Sequence, residues 1–222
     1  MNLLHIGVGA PLALLGWILL LPVLRGAWRA RRGGVLELGL AEDAWLGGAV
    51  GIALLWTLEI KVGGGPRFGM LGAALYVLVF GRARGLLGLV LALLVHTALD
   101  HGSWRNLGLN GLLFAVLPAY LTAALQRRIE AHLPHNPFVF MIGNGMFTTL
   151  AATAVTSLAL IATALAAGAA PPVADLGAYL GAALLLAWSE AIVSGMLLSA
   201  LVVFLPQVVL TFRADLYAPR RL

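Results

Sequence analysis

Two stretches decide the fold class: GLLGLVLALLV (Gly85–Val95) and LLFAVLPAYL (Leu112–Leu121). Both are apolar on every face. A helix on the surface of a soluble protein keeps a polar face, and a membrane barrel strand alternates apolar and polar residues. Neither pattern is present. In lipid, every backbone N–H and C=O must be satisfied within the segment or a closed barrel. The reading is therefore membrane-spanning helices.

The rest of the chain agrees. Of 222 residues, 61% are hydrophobic and 10% charged, with a mean hydropathy of +0.98. Soluble domains carry about 25% charge. Seven apolar runs stand out: Leu3–Leu24, Ala44–Ile60, Phe68–Phe80, Gly85–Leu99, Leu107–Leu125, Phe138–Ala166 and Gly177–Phe212. The expectation is an all-α, polytopic membrane bundle of about seven transmembrane helices. Residues 1–222 read as a single integral membrane domain, with no room for a soluble catalytic domain beside it. The first apolar run has no basic residues ahead of it, so it reads as a retained span rather than a cleaved signal.

Charge sets the expected orientation. The loops after the first, third and fifth runs, with the C-terminal tail, hold eleven of the fourteen basic residues, including Arg25, Arg29, Arg31, Arg32, Arg82, Arg84, Arg127 and Arg128. Lys61, Arg67 and Arg105 fall on the other side. The positive-inside rule then places the N-terminus outside and the C-terminus in the cytoplasm of a cell (inner or plasma) membrane. Arginines in short loops between apolar runs read as topology signals and lipid-headgroup contacts, so the bilayer is the expected partner and nucleic acid is not.

Two runs, Phe68–Phe80 and Gly85–Leu99, are short, and irregular backbone at membrane depth is tolerated only where protein or a cavity shelters it. The last run, at 36 residues, would be about 54 Å of helix, well beyond a bilayer core of ~30 Å. Pro206 and the polar pair Ser189–Glu190 are the places where it is expected to break. Gly47 with Gly51, and Gly81 with Gly85, have the spacing that lets membrane helices approach closely.

Few residues can carry chemistry. The absence of cysteine excludes disulfides, thiolate metal sites and cysteine nucleophiles. No hydrolase, metalloprotease or phosphate-loop motif occurs, and no nucleophile–base pair has a workable spacing. An enzyme is not expected, and no catalytic residue is assigned. Glu190 lies inside LLLAWSEAIVSGMLL, where a charged carboxylate costs roughly 3 kcal/mol or more at mid-bilayer; a structural hydrogen bond between helices is favoured over substrate contact. His96 and Asp100 share a helix face at i and i+4. An imidazole with a carboxylate suits a divalent transition metal, and the alternative is a polar helix end meeting water. His5 belongs to the same side. Asn110, inside LGLNGLLF, needs a partner in lipid, from a neighbouring helix or from a bound substrate. His132 and His135 read as loop residues.

Together GGGPRFGMLGAALYVLVFGRARGLLGLVLALLVHTAL (63–99), LGLNGLLFAVLPAYL (107–121) and WSEAIVSGMLLSALVVFLPQVVLTFRADLY (188–217) resemble the core of CbiM/NikM-type permeases. These are the cobalt- and nickel-capturing components of energy-coupling factor transporters. The resemblance implies about seven helices, an outside N-terminus, a divalent transition metal ion as cargo and no certain cofactor. It also implies energising partners: a transmembrane coupling protein and separate ATPase subunits. The departures fall on the metal site. The family begins with a second-position histidine, where this chain has Asn2. The family's glycine-rich turn carries a second ligand histidine, where this chain has Gly69 between Phe68 and Met70.

Two functions therefore stand at this stage. One is a permease component for a transition metal ion, with His96 joined by His5 or Asp100 as ligands. The other is a non-transporting accessory subunit of a larger membrane complex that kept the permease fold and lost the ligands. In either case Gly69, Phe68, Met70, Asn110 and Glu190 are expected to line the central pocket.

Overall fold

A computed structural model describes residues 9–32, 39–58, 60–61, 67–101, 103–167, 176–213 and 217. Among the described residues the regular structure is all helical apart from one antiparallel pair of two-residue strands, β1 (Ile60–Lys61) and β2 (Arg67–Phe68). The helices are α1 (Ala10–Arg32), α2 (Leu40–Leu55), α3 (Ala73–His96), α4 (Leu107–Gly111), α5 (Leu117–His132), α6 (Thr149–Ala166) and α7 (Leu176–Phe204). Widened π-type turns extend α3 through Thr97–His101, join α4 to α5 across Leu112–Val116, and lead into α6 from Val139 to Thr148. Five stretches among the described residues are long and apolar enough to cross a bilayer: Ala10–Arg31, Ala73–Leu99, Trp104–His132, Val139–Ala166 and Leu176–Phe204. Their outward faces are apolar too; Leu185 and Met196 on α7 are 72% and 69% exposed. Such faces are stable only against lipid.

The second stretch turns back on itself at Gly81. That residue has φ 78° and ψ 167°, a conformation that only glycine adopts freely. A Cβ on Gly85 would lie 2.9 Å from the Cα of Val77. Eight residues of unbroken helix would separate those positions by about 12 Å. α3 is therefore a hairpin with a short arm, 73–80, and a long arm, 82–96. This is the physical form of the two short apolar runs, and the expected loop between them shrinks to a turn around one glycine.

The closest helix contact joins α1 to α4. A Cβ on Gly16 would meet the backbone N of Leu109 at 2.4 Å, and one on Gly108 would meet the N of Trp17 at 2.5 Å. The two backbones touch, and any side chain would push them apart. By contrast, Gly47 and Gly51 have nothing within 4 Å of a built Cβ, so they pack no helix of this chain. Gly145 of the π segment and Gly195 of α7 make a second close crossing, with a Gly145 Cβ 3.0 Å from the Gly195 Cα.

Two expectations about breaks are corrected. The arginine-rich segment after the first run is not a loop as far as Arg32: Arg25, Arg29 and Arg31 lie on the last turns of α1. Long arginine side chains can reach the headgroups from a continuing helix, so the helix need not end where the charge begins. In the last run, α7 passes Ser189–Glu190 unbroken; the break falls at the other candidate place, with α7 ending at Phe204 before Pro206 opens a single 3₁₀ turn, Pro206–Val208. The chain then folds back. Leu210 N–H donates to Val79 O at 2.7 Å, and the Thr211 hydroxyl donates to Leu78 O. A ring cluster of Phe140, Phe212 and Tyr217, with centroids 5.0–5.3 Å apart, holds the returning tail.

Candidate functional site

The short arm of α3 is about 12 Å of helix, and it starts inside the bundle, where Leu71 and Ala73 are buried. A helix begins with N–H groups that have no partner in the helix itself, and burial makes leaving them unpaired costly. The backbone just ahead of the arm is irregular. Gly72 has φ 64°, in the left-handed region, and a Cβ there would press on Leu55 of α2 at 3.2 Å. Glu190 of α7 satisfies this segment. Its Oε2 accepts the N–H of Leu71 and its Oε1 the N–H of Gly72, both at 2.8 Å. The carboxylate sits where the positive end of the helix dipole favours an anion. Glu190 is 1% exposed, and Thr153 of α6 stands beside it.

Trp56, just after α2, holds the other side of the same segment. Its indole N–H donates to Leu71 O at 2.8 Å. Its ring meets His96 edge-on at 6.1 Å and Phe114 at 5.7 Å. His96 is fully enclosed, with Nδ1 3.4 Å from Ala53 O. At the far end of the short arm, Leu210 and Thr211 take up the carbonyls of Val79 and Leu78. The arm is thus satisfied at both ends by groups on or after α7.

A second polar feature runs through the interior. Asn110 on α4 and Asn144 on the π segment before α6 are both 0% exposed, and neither amide has a hydrogen-bond partner among the described residues. The same holds for the hydroxyls of Thr122, Thr148, Thr149 and Thr156. Asn110 lies on the opposite side of α4 from Gly108, which faces α1, so its amide is turned into the bundle. Each unpaired buried group of this kind costs about 1–3 kcal/mol. The interior therefore offers amide and hydroxyl donors and acceptors available to a passing or bound solute.

The expected site residues divide as follows. Glu190 meets the stretch that begins at Phe68, through Leu71 and Gly72, as a structural hydrogen bond between distant segments. Gly69 and Met70 are half-buried just upstream. Phe68 pairs with Ile60 in the small ladder. Asn110 is inside the bundle and not toward lipid. His96 is buried against Trp56, and Asp100 lies on the π turn that continues from its helix. His5 and the Gly63–Gly65 turn lie outside the described residues. Among the described residues no three His, Asp or Glu side chains come together as a metal cluster. His132 proves to be the last residue of α5, with Nδ1 2.9 Å from Arg128 O, rather than a loop residue.

Trp56 and Asn144 are the participants that the sequence reading passed over. Asn144 carried the same signal as Asn110, a lone amide in an apolar run, VFMIGNGMF. Nothing around Trp56 in sequence marks it, because its partners come from three other segments.

The family model described as "CbiM: Cobalt uptake substrate-specific transmembrane region" matches residues 5–208. Two solved structures share the fold. A chain described as a transition metal transporter aligns with TM-score 0.73 and 18% identity, over 90% of this chain and 92% of that one. A truncated transition metal transporter aligns with TM-score 0.74 and 18% identity, over 91% of this chain and 98% of that one. Among curated proteins, none matches the sequence.

Proposed function

Because the chain belongs to the family of cobalt-uptake substrate-specific transmembrane regions, we propose that this multi-pass membrane protein is the ion-capturing permease component of a cobalt- or nickel-class uptake system. The observation that carries the reading is the family match across residues 5–208, nearly the whole chain. Energy comes from separate ATPase subunits through a transmembrane coupling protein. The chain crosses the membrane seven times when the two arms of α3 count separately. The short arm crosses together with the extended stretch ahead of it, whose backbone is sheltered by Glu190 and Trp56. Arg31, Arg82 and Arg84 lie at the cytoplasmic end, and the N-terminus is outside.

In this reading His96 is the fixed imidazole of the capture site, with His5 or Asp100 as its companion. Neutral imidazole suits cobalt, nickel, copper or zinc. Two side chains leave coordination positions for the N-terminal amine, backbone groups or water. The site differs from the family pattern at Asn2 and Gly69, so selectivity among these metals is expected to differ as well.

The test is accumulation of radioactive cobalt and nickel in cells lacking their own uptake systems, with and without co-expressed ATPase and coupling subunits. Accumulation that needs both this chain and the ATPase is expected. Accumulation no greater than in cells without the chain contradicts the proposal.

A further inference from the structure

Two adjoining surface features remain outside the metal-uptake reading. One is an apolar groove of about 370 Å³ between α2, the short arm of α3 and the end of α7, lined among others by Gly48, Gly51, Leu55, Tyr76, Phe80 and Leu201. The other is a basin of about 380 Å³ where Arg31, Arg82 and Arg84 surround the Gly81 turn. Phe80 lines both, so the groove and the basin adjoin.

The basin is built. Arg31 lies 4.8 Å from the centre of the Trp45 ring and 5.7 Å from that of Trp28, and pairs with Glu42 at 3.0 Å. The Trp45 indole N–H donates to Arg84 O at 2.9 Å, and the Tyr76 hydroxyl donates to Trp45 O at 2.6 Å. Arg82 lies 5.0 Å from the centre of the Tyr120 ring. Among the described residues, one of the three guanidiniums, that of Arg31, pairs with a carboxylate, Glu42, and no acidic residue lines the basin itself. An apolar groove beside three cations that outnumber their one carboxylate partner, at one end of the membrane-spanning helices, matches an anionic amphiphile. An apolar helix from another protein would fill the groove and leave the arginines unanswered.

We propose that this groove and basin hold one anionic phospholipid, with an acyl chain between α2 and the short arm and the phosphate on Arg31, Arg82 and Arg84. Guanidinium groups bind phosphate through paired N–H donors, which a zwitterionic lipid answers less well because its own ammonium competes. Gly51 keeps the groove open. Its Cβ position meets nothing within 4 Å, so a side chain there would occupy the space of the acyl chain without disturbing the fold.

The experiment is native mass spectrometry of the full chain, purified from detergent and exchanged against equal phosphatidylglycerol and phosphatidylcholine, with melting temperature measured alongside. The wild type is expected to retain one phosphatidylglycerol in preference to phosphatidylcholine. Arg31→Ala with Arg84→Ala should cut that preference about fivefold per arginine. Gly51→Leu should release the lipid with all arginines intact and melting unchanged. Equal retention of the two lipids by the wild type overturns the proposal. So does retention that survives Gly51→Leu, or a groove that loses a co-purifying membrane protein rather than a lipid when Gly51 is replaced.

Discussion

The carboxylate of Glu190 accepts the backbone N–H of Leu71 at 2.8 Å, across 119 residues of sequence. Its other oxygen takes the N–H of Gly72. A short helix starting inside a membrane bundle has no water to satisfy the N–H groups at its entry, and one side chain from α7 takes those of Leu71 and Gly72, just ahead of Ala73. The energetic cost of a buried acidic residue and that of a broken helix are offset by the same two hydrogen bonds.

Replacement of Glu190 should therefore act on stability before it acts on transport. Glu190→Ala leaves two buried N–H groups unpaired, at about 1–3 kcal/mol each. Glu190→Gln keeps one acceptor but turns an NH₂ toward the second N–H, and should fall between Ala and wild type. Thermal unfolding in detergent reads the order wild type, Gln, Ala. Equal melting temperatures for all three would remove the capping role.

Trp56 makes the matching bond on the carbonyl side. Trp56→Phe keeps a ring against His96 and Phe114 but loses the donor to Leu71 O. It should cost about 1 kcal/mol, and Trp56→Ala about 3–5 kcal/mol. The same unfolding assay compares them; a Phe variant as stable as the wild type would show that packing, and not the hydrogen bond, is what matters.

The glycines separate into those that must be glycine and those that need not be. Gly108→Ala places a Cβ against the backbone of Trp17 and should destabilise by about 1–3 kcal/mol. Gly47→Ala meets nothing and should be neutral or slightly stabilising, since alanine is the better helix former. Paired melting curves check the contrast, and a neutral Gly108→Ala would contradict the close approach of α1 and α4.

Much of this architecture was legible in the sequence, and for physical reasons. Apolar runs long enough to span lipid have no other stable fate, so the helices could be read directly. Glu190 and Asn110 were conspicuous because a polar residue in such a run must find a partner. The helix ends were harder to place. Arg25, Arg29 and Arg31 suggested a loop, yet they extend α1, because an arginine can reach the headgroups from a continuing helix. Glycine was ambiguous. Gly16 and Gly108 have the tightest contacts with backbone, but in a chain with 27 glycines nothing local distinguishes them from Gly47 and Gly51, whose built Cβ atoms meet nothing within 4 Å. The partners of Trp56 come from segments that only the tertiary fold brings together.

The central claim is capture of a transition metal ion, and metal binding by the purified chain tests it most directly. Elemental analysis and calorimetric titration with cobalt and nickel should give about one ion per chain for the wild type, since one cargo ion fills one capture site. Binding should be weakened or lost in His96→Ala, with melting temperature measured on the same samples to separate a lost ligand from a lost fold. A wild-type chain that carries no metal and takes up neither ion would contradict the account.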